Sequence, residues 1–381
     1  MPPGPRRTPL SDHCHFLHLL RGLYFGRFPE KKLLTFCVSS IVSLALGLVL
    51  FPVTAPAKLA FQPQRMIQPG AGTLAESGIE EESVATTRLK ANLADLLLHD
   101  KYDEIEGIAD KIRTDKTRLV GSGWLLKQLY FGLEASNGTM PEEHIAELKA
   151  WIVARPQSIT ARVALAKAYT SYAWLARGNG YADSVTPERR QRFKERIAEA
   201  QKVLDDSANI TPMDPEWFAE MQTIALAQSW DGARSTALFD KAVTFEPTYF
   251  YFYKYYANYL QPKWDGKEGE AAAFARKSAD AIGGPEGDFL YFHIAMVVLA
   301  ANNGNVDASQ MDWARLQRGC QAQRDLYGVV DFDINQFALM AWRFRDRDVA
   351  RPIFNEIGDK WSKEVWGNRT RFETAREWAG K

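Results

Sequence analysis

Cysteine is scarce. Of three residues, Cys14 and Cys37 lie before or inside an N-terminal apolar run, leaving Cys320 alone in the rest of the chain. A disulfide framework is therefore excluded for the body, whatever its compartment. Cys320 reads as a small buried or half-buried residue. Net charge is also missing: 47 basic residues face 47 acidic ones. That balance gives no general attraction to nucleic acid.

Recognisable chemistry is missing too. No Walker A loop, Rossmann glycine fingerprint or G-x-S-x-G elbow occurs. His99, His144 and His293 have no metal-ligand spacing, and His13-Cys14-His15 with His18 sits in a short tail without a supporting shell. Glu80-Glu81-Glu82 and Asp205-Asp206 read as solvated linker and helix surface, not acid/base pairs. No cofactor is expected, and the balance leans away from an enzyme.

What is present begins with an address. Residues 33–51 run for nineteen positions without a charge, close to the ~30 Å hydrocarbon core at ~1.5 Å per residue. Residues 1–32 carry Arg6, Arg7, Arg21, Arg27, Lys31 and Lys32 against Asp12 and Glu30, leaving 41 basic and 45 acidic groups beyond them. The positive-inside rule keeps that tail in the cytoplasm and sends the chain across. The expected layout is a basic tail (1–32), a transmembrane or signal-anchor helix (33–54), a flexible linker rich in Pro, Gly and Gln (55–83) and a helical domain (84–381). A single-pass protein of a cytoplasmic membrane follows, body outside. The alternative is release after cleavage near Ala57, at Ala55-Pro56-Ala57.

From Val84 onward apolar residues recur at helical spacing. Leu89, Leu93, Leu96 and Leu97 make one stripe; Tyr102, Ile105, Ile108, Ala109 and Ile112 make the next. Further helices are predicted over 121–135, 141–154, 159–177, 187–206, 215–229, 232–245, 248–261, 267–281, 287–302, 308–325, 333–343, 346–358 and 364–378. No reliable strand is found. The fold class is all-α, and short breaks between helices suggest a hairpin solenoid.

A 34-residue tetratricopeptide register fits in several places. Leu165, Ala166 and Tyr169 suit one inner helix; Phe239, Ala242 and Pro247 suit an outer helix and its closing proline. Counting on, Tyr253, Tyr256, Ala257 and Leu260 suit the next inner helix. Phe337, Ala338, Ala341, Ala350, Phe354 and Ile357 fit a whole hairpin. The register reads residues 247–260, PTYFYFYKYYANYL, as a helix capped by Thr248 and stopped by Pro262, although Tyr249, Tyr251, Tyr253 and Tyr255 alternate as in a strand. Tyr249, Phe252, Tyr253, Tyr256 and Leu260 are expected to be core. Tyr251, Tyr255 and Asn258 are expected to point toward a concave face.

One stretch is more distinctive. A small-residue helix ends in Trp174-Leu175-Ala176-Arg177-Gly178-Asn179-Gly180-Tyr181-Ala182, followed by Pro215-Glu216-Trp217, Trp230-Asp231 and the aromatics from Phe239 to Tyr249. With Gly123-Trp124-Leu125, this order resembles an uncharacterised bacterial family catalogued as a domain of unknown function, series four-zero-three-four, over about residues 85–300. The resemblance implies a helical, repeat-like fold and no activity.

The candidate site is therefore a binding face for a protein or peptide. Lys254 and Asn258, one turn apart, could each bond one oxygen of a C-terminal carboxylate. Trp174, Arg177 and Tyr181 form a second candidate, with Trp174 and Tyr181 read more readily as core and loop anchor, and Arg177 suited equally to pairing with an anion and to acting as a helix C-terminal charge. Gly178 reads as a glycine cap and not as a phosphate loop. The competing reading is an envelope carbohydrate-binding or glycan-processing protein, for which 11 Trp and 14 Tyr supply material.

Overall fold

In the computed structural model, the described residues are 82–135, 139–178, 185–264 and 266–381. The tail, the apolar run, nearly all of the linker and the segment bearing Asn179, Gly180 and Tyr181 lie outside them. Among the described residues every element is helical, apart from one isolated antiparallel bridge between Arg118 and Trp124. No described helix is long and apolar enough to cross a membrane.

Chain order gives α1 (Glu82–Leu98), α2 (Tyr102–Asp115), α3 (Leu125–Gly132), α4 (Pro141–Ala154), α5 (Ile159–Arg177), α6 (Pro187–Asp205), α7 (Pro215–Gln228), α8 (Gly232–Phe245) and α9 (Tyr251–Tyr259). Then follow α10 (Glu270–Ile282), α11 (Gly284–Ala301), α12 (Val306–Ser309), α13 (Trp313–Tyr327), α14 (Asp331–Arg343), α15 (Arg347–Ile357), α16 (Lys363–Trp366) and α17 (Arg369–Gly380). Capping explains many starts. Ser158, Thr186, Asp214, Asp231, Asp312 and Asp346 each accept a backbone N–H of the following first turn.

The packing order is regular. Helices α5, α7, α9 and α11 form one row in which each touches the next. Helices α6, α8, α10 and α13 pack behind them as hairpin partners, and α14 pairs with α15. The register positions are buried: Leu165, Ala166, Tyr169, Phe239, Ala242, Tyr253, Ala257, Leu260, Phe337, Ala338, Ala341, Ala350, Phe354 and Ile357. Small residues there let helices approach; large ones fill the gap.

Four helix expectations change. The helix expected over 308–325 is broken by left-handed backbone at Gln310 (φ 54°) into the short α12 and α13, which begins at Trp313 behind its cap Asp312. The helix expected from 121 begins at Leu125, because Gly121 (φ 86°) and Ser122 (φ 81°) take left-handed backbone and residues 118–124 fold back as a loop. The aromatic helix begins at Tyr251, not 248: its N-cap is Phe250, and Thr248 turns its hydroxyl to Glu246 instead of capping. The last expected helix splits at Gly367 (φ 77°) into α16 and α17. Of the aromatic stripe, Tyr249, Phe252, Tyr253 and Leu260 are buried and Tyr256 is half-buried against Phe239.

Candidate functional site

Residues 117–132 form a strap between helix α1, against which α3 packs, and the first helix row. Their hydrogen-bond partners across the row lie about 85 to 210 positions later in the chain. Helix α3 and the loop before it are buried along most of their length, including Ser122, Trp124, Lys127 and Tyr130. Trp124 sets its ring edge-on to Tyr249 at 4.9 Å. The Arg118 guanidinium lies over the rings of Trp124 (4.2 Å), Tyr327 (5.1 Å) and Phe250 (5.5 Å). It donates to the carbonyls of Thr248 (2.9 Å) and Ser122 (3.0 Å). Burial draws the Arg118 pKa down.

A charged knot fastens the helical end of this strap. Asp214 caps α7 and Pro215 takes its first position, so Glu216 enters the first turn, where the helix dipole favours an anion. Glu216 has no exposed surface. It accepts from Lys127 Nζ (3.0 and 3.1 Å), Lys167 Nζ (3.1 Å) and the Tyr249 hydroxyl (2.5 Å). Burial alone would raise its pKa; the two ammonium groups and the tyrosine outweigh burial and hold it at about 2. Lys167 is likewise pulled down by burial and carried well above its ordinary value by Glu216 and Glu220, the latter at 3.6 Å. Beside the knot, Asp214 accepts from Arg113 (2.8 Å) and the Tyr130 hydroxyl (2.7 Å). Burial pushes the Glu134 carboxyl up against the pull of Lys167, Lys90 and Lys127.

The loop end of the strap meets a different set. Ser122 Oγ and His293 Nε2 are 3.3 Å apart, and Gly121 N–H donates to the Tyr327 carbonyl at 3.2 Å. His293 is ringed by Phe250, Phe289 and Phe292. Burial, then the charges of Lys254 and Arg118, hold it neutral, well below the ordinary imidazole value. Asp333 accepts from Val330 N–H at 3.0 Å, yet burial lifts its pKa to about 7.

The residues singled out in the sequence fall into two places. On α9, Lys254 is 7% exposed, with Nζ 5.7 Å from the Phe250 and Tyr251 rings. Tyr251 is buried, stacked on Phe250 at 4.3 Å and facing Lys127. Tyr255 is half-buried and its hydroxyl accepts from Lys127 at 2.9 Å; Asn258 is half-buried. Lys254 and Tyr251 are thus buried, not open to a concave face, and Tyr255 is half-buried, because neighbouring rings and Lys127 of the strap close over them. Trp174 and Arg177 belong to the α5–α6 packing. Trp174 is buried edge-on to Phe193, and Arg177 donates to the carbonyl of Gly178, the C-cap of its own helix (φ 75°). Tyr181 lies outside the described residues. Cys320 is half-buried, with its thiol pushed up by burial, and Asp205-Asp206 is exposed.

The carboxylates and lysines of the knot went unread as a site. A signal existed: Lys127 interrupts the apolar run LLKQLYFG, and Lys167 interrupts a helix of small residues. A lone charge on a face that must be buried calls for a partner. Comparison with family models, curated proteins and solved structures finds no match to this chain. The family resemblance therefore stands on its sequence motifs alone.

Proposed function

We propose that this chain is a membrane-anchored, extracytoplasmic protein of a bacterial envelope, built of tetratricopeptide-like helix pairs, that binds a segment of another protein and serves as a scaffold or assembly factor. One observation carries the reading. The face of α7, α9 and α11 already receives a chain segment, the strap, through an edge-on ring contact, a carbonyl acceptor and a buried carboxylate. Helix-pair arrays commonly present such faces to peptides. The sequence register and the uncharged run before residue 52 support the repeat and the anchor.

The glycan reading has less support: every Trp and Tyr among the described residues is buried or half-buried. A sugar-stacking cleft presents open rings. Asn258 is the position from which to test the partner, being half-buried at the edge of the face. With a photoreactive residue there, illumination of cells is expected to yield one dominant crosslinked protein. Anchored protein at normal level with no crosslink would contradict the reading.

A further inference from the structure

The strap is fastened unevenly. Its helical end is held by charged bonds of 2.7–3.1 Å to Asp214 and Glu216. Its loop, residues 117–124, is held largely by itself. Leu119 N–H donates to the Gly123 carbonyl (2.7 Å), Ser122 N–H to Leu119 (3.0 Å) and Leu125 N–H to Thr117 (3.0 Å). Outward, the loop makes one short bond, from Arg118 to the Thr248 carbonyl at 2.9 Å; the others are longer: Ser122 to His293 at 3.3 Å, Gly121 to Tyr327 at 3.2 Å and Gln323 Nε2 to the Gly121 carbonyl at 3.5 Å. Leu119 and Val120 are buried but join neither of the two hydrophobic clusters. Ser122 holds a φ of 81° that side chains rarely adopt. Apart from the Arg118 side chain and Trp124 at its end, the loop is closed by its own backbone and by long bonds, so residues 117–123 can lift with Arg118 while Trp124 and α3 stay docked.

What it covers is specific. Without the loop, the Thr248 carbonyl and the rings of Phe250 and Tyr327 would still surround the place of the Arg118 guanidinium. Glu246 stands close by, paired with Lys116 at 2.5 Å. A planar cation between rings, with a carbonyl acceptor and a carboxylate at hand, is a site for arginine more than for lysine. The Tyr327 carbonyl would accept a backbone N–H from the same incoming segment.

We propose that residues 117–123 are a built-in, exchangeable occupant of a site for an arginine-bearing segment of the partner protein, so that the loop and the partner compete. This rests on the partner-binding reading above and adds the ligand's chemistry and its control.

Two measurements test it on the full-length chain. The first is hydrogen exchange, which needs no partner. The amides of Leu119, Gly121 and Ser122 are expected to exchange at least about 100-fold faster than those in the middle of α11, with little response to mild urea. Exchange of these amides only through global unfolding would overturn the proposal. The second adds a labelled peptide copying residues 115–125 to wild type and to Gly121→Val. A Cβ at Gly121 meets Asp333 Oδ2 at 2.9 Å, and φ there is 86°, so a branched side chain should push the loop off. The variant is expected to bind the peptide at least about tenfold tighter than wild type, about 1.4 kcal/mol, and to lose it when the peptide carries Arg118→Ala. Equal affinities, or no binding by a folded variant, would overturn it. If Gly121→Val does not fold, the exchange result decides. A partner crosslinked at Asn258 that the peptide does not displace would overturn this proposal alone and leave the partner-binding reading standing.

Discussion

The knot around Glu216 and the cluster around Trp366 solve the same packing problem with opposite materials. Both sit where helix pairs meet. In the C-terminal cluster Phe354, Ile357, Trp366 and Phe372 pack with Ala338, Ala341, Ala350 and Ala375, and no charge is enclosed among them. Its fully buried polar group, Asn335, is neutral and satisfied. It accepts from Trp366 Nε1 (2.8 Å) and Ser362 N–H (3.0 Å) and donates to the carbonyls of Asp331 and Lys360. The central knot instead encloses Glu216, Lys127 and Asp214, with Lys167 nearly enclosed. Enclosed ions repay their desolvation only with good geometry, so such a knot is weak evidence for stability. Its value here is direction: only a segment bearing ammonium and hydroxyl groups at the right places can dock on α7. Apolar burial carries no such address.

That contrast can be broken in four ways. The largest effect is expected from Glu216→Gln, which leaves Lys127 and Lys167 buried without their shared carboxylate. The cost should be about 3–5 kcal/mol in urea unfolding, together with faster amide exchange in α3. Next comes Trp366→Phe, which opens a small space and removes a donor from Asn335. About 1–3 kcal/mol should be lost, with no change in α3 exchange. A smaller loss, about 0.5–1.5 kcal/mol, is expected for Ile357→Val. Smallest of all should be Arg155→Ala, whose pair with Asp103 lies in solvent and whose removal should leave the urea midpoint nearly where it was. A Trp366→Phe variant that loosened α3, or a Glu216→Gln variant that did not, would erase the distinction.

Most of the helical frame was legible in the sequence. Residues 141–154, 159–177 and 232–245 are helices with the bounds that periodicity and caps predict. The register picked buried positions because small and large residues alternate where helices cross. The strap was not legible. Gly121-Ser122-Gly123 lies in a run that also suits a helix, and only left-handed backbone at Gly121 and Ser122 turns it into a loop. The knot was hidden for another reason. Its partners stand 33 to 128 positions apart, so no local pattern joins them. Tyr251 and Tyr255 are expected from the register to line a concave surface, but Tyr251 is buried in the core and Tyr255 is half-buried. What meets them is Lys127 of the same chain.

The comparison depends most on the charge of Glu216. Its folded pKa lies below the ordinary carboxylate value, at about 2. Its contribution is therefore fully present above about pH 4.5 and is lost as pH falls toward 2. Asp333 runs the other way: its folded pKa of about 7 makes the protein less stable as pH rises from about 4 to 7. The deciding measurement is urea unfolding from pH 6 to pH 2.5 for wild type, Glu216→Gln and Trp366→Phe. Wild type should lose its advantage over Glu216→Gln on acidification, a closing gap of about 3 kcal/mol, while the gap to Trp366→Phe stays constant. A gap to Glu216→Gln that does not change with pH would contradict the charged knot as the fastening of the strap.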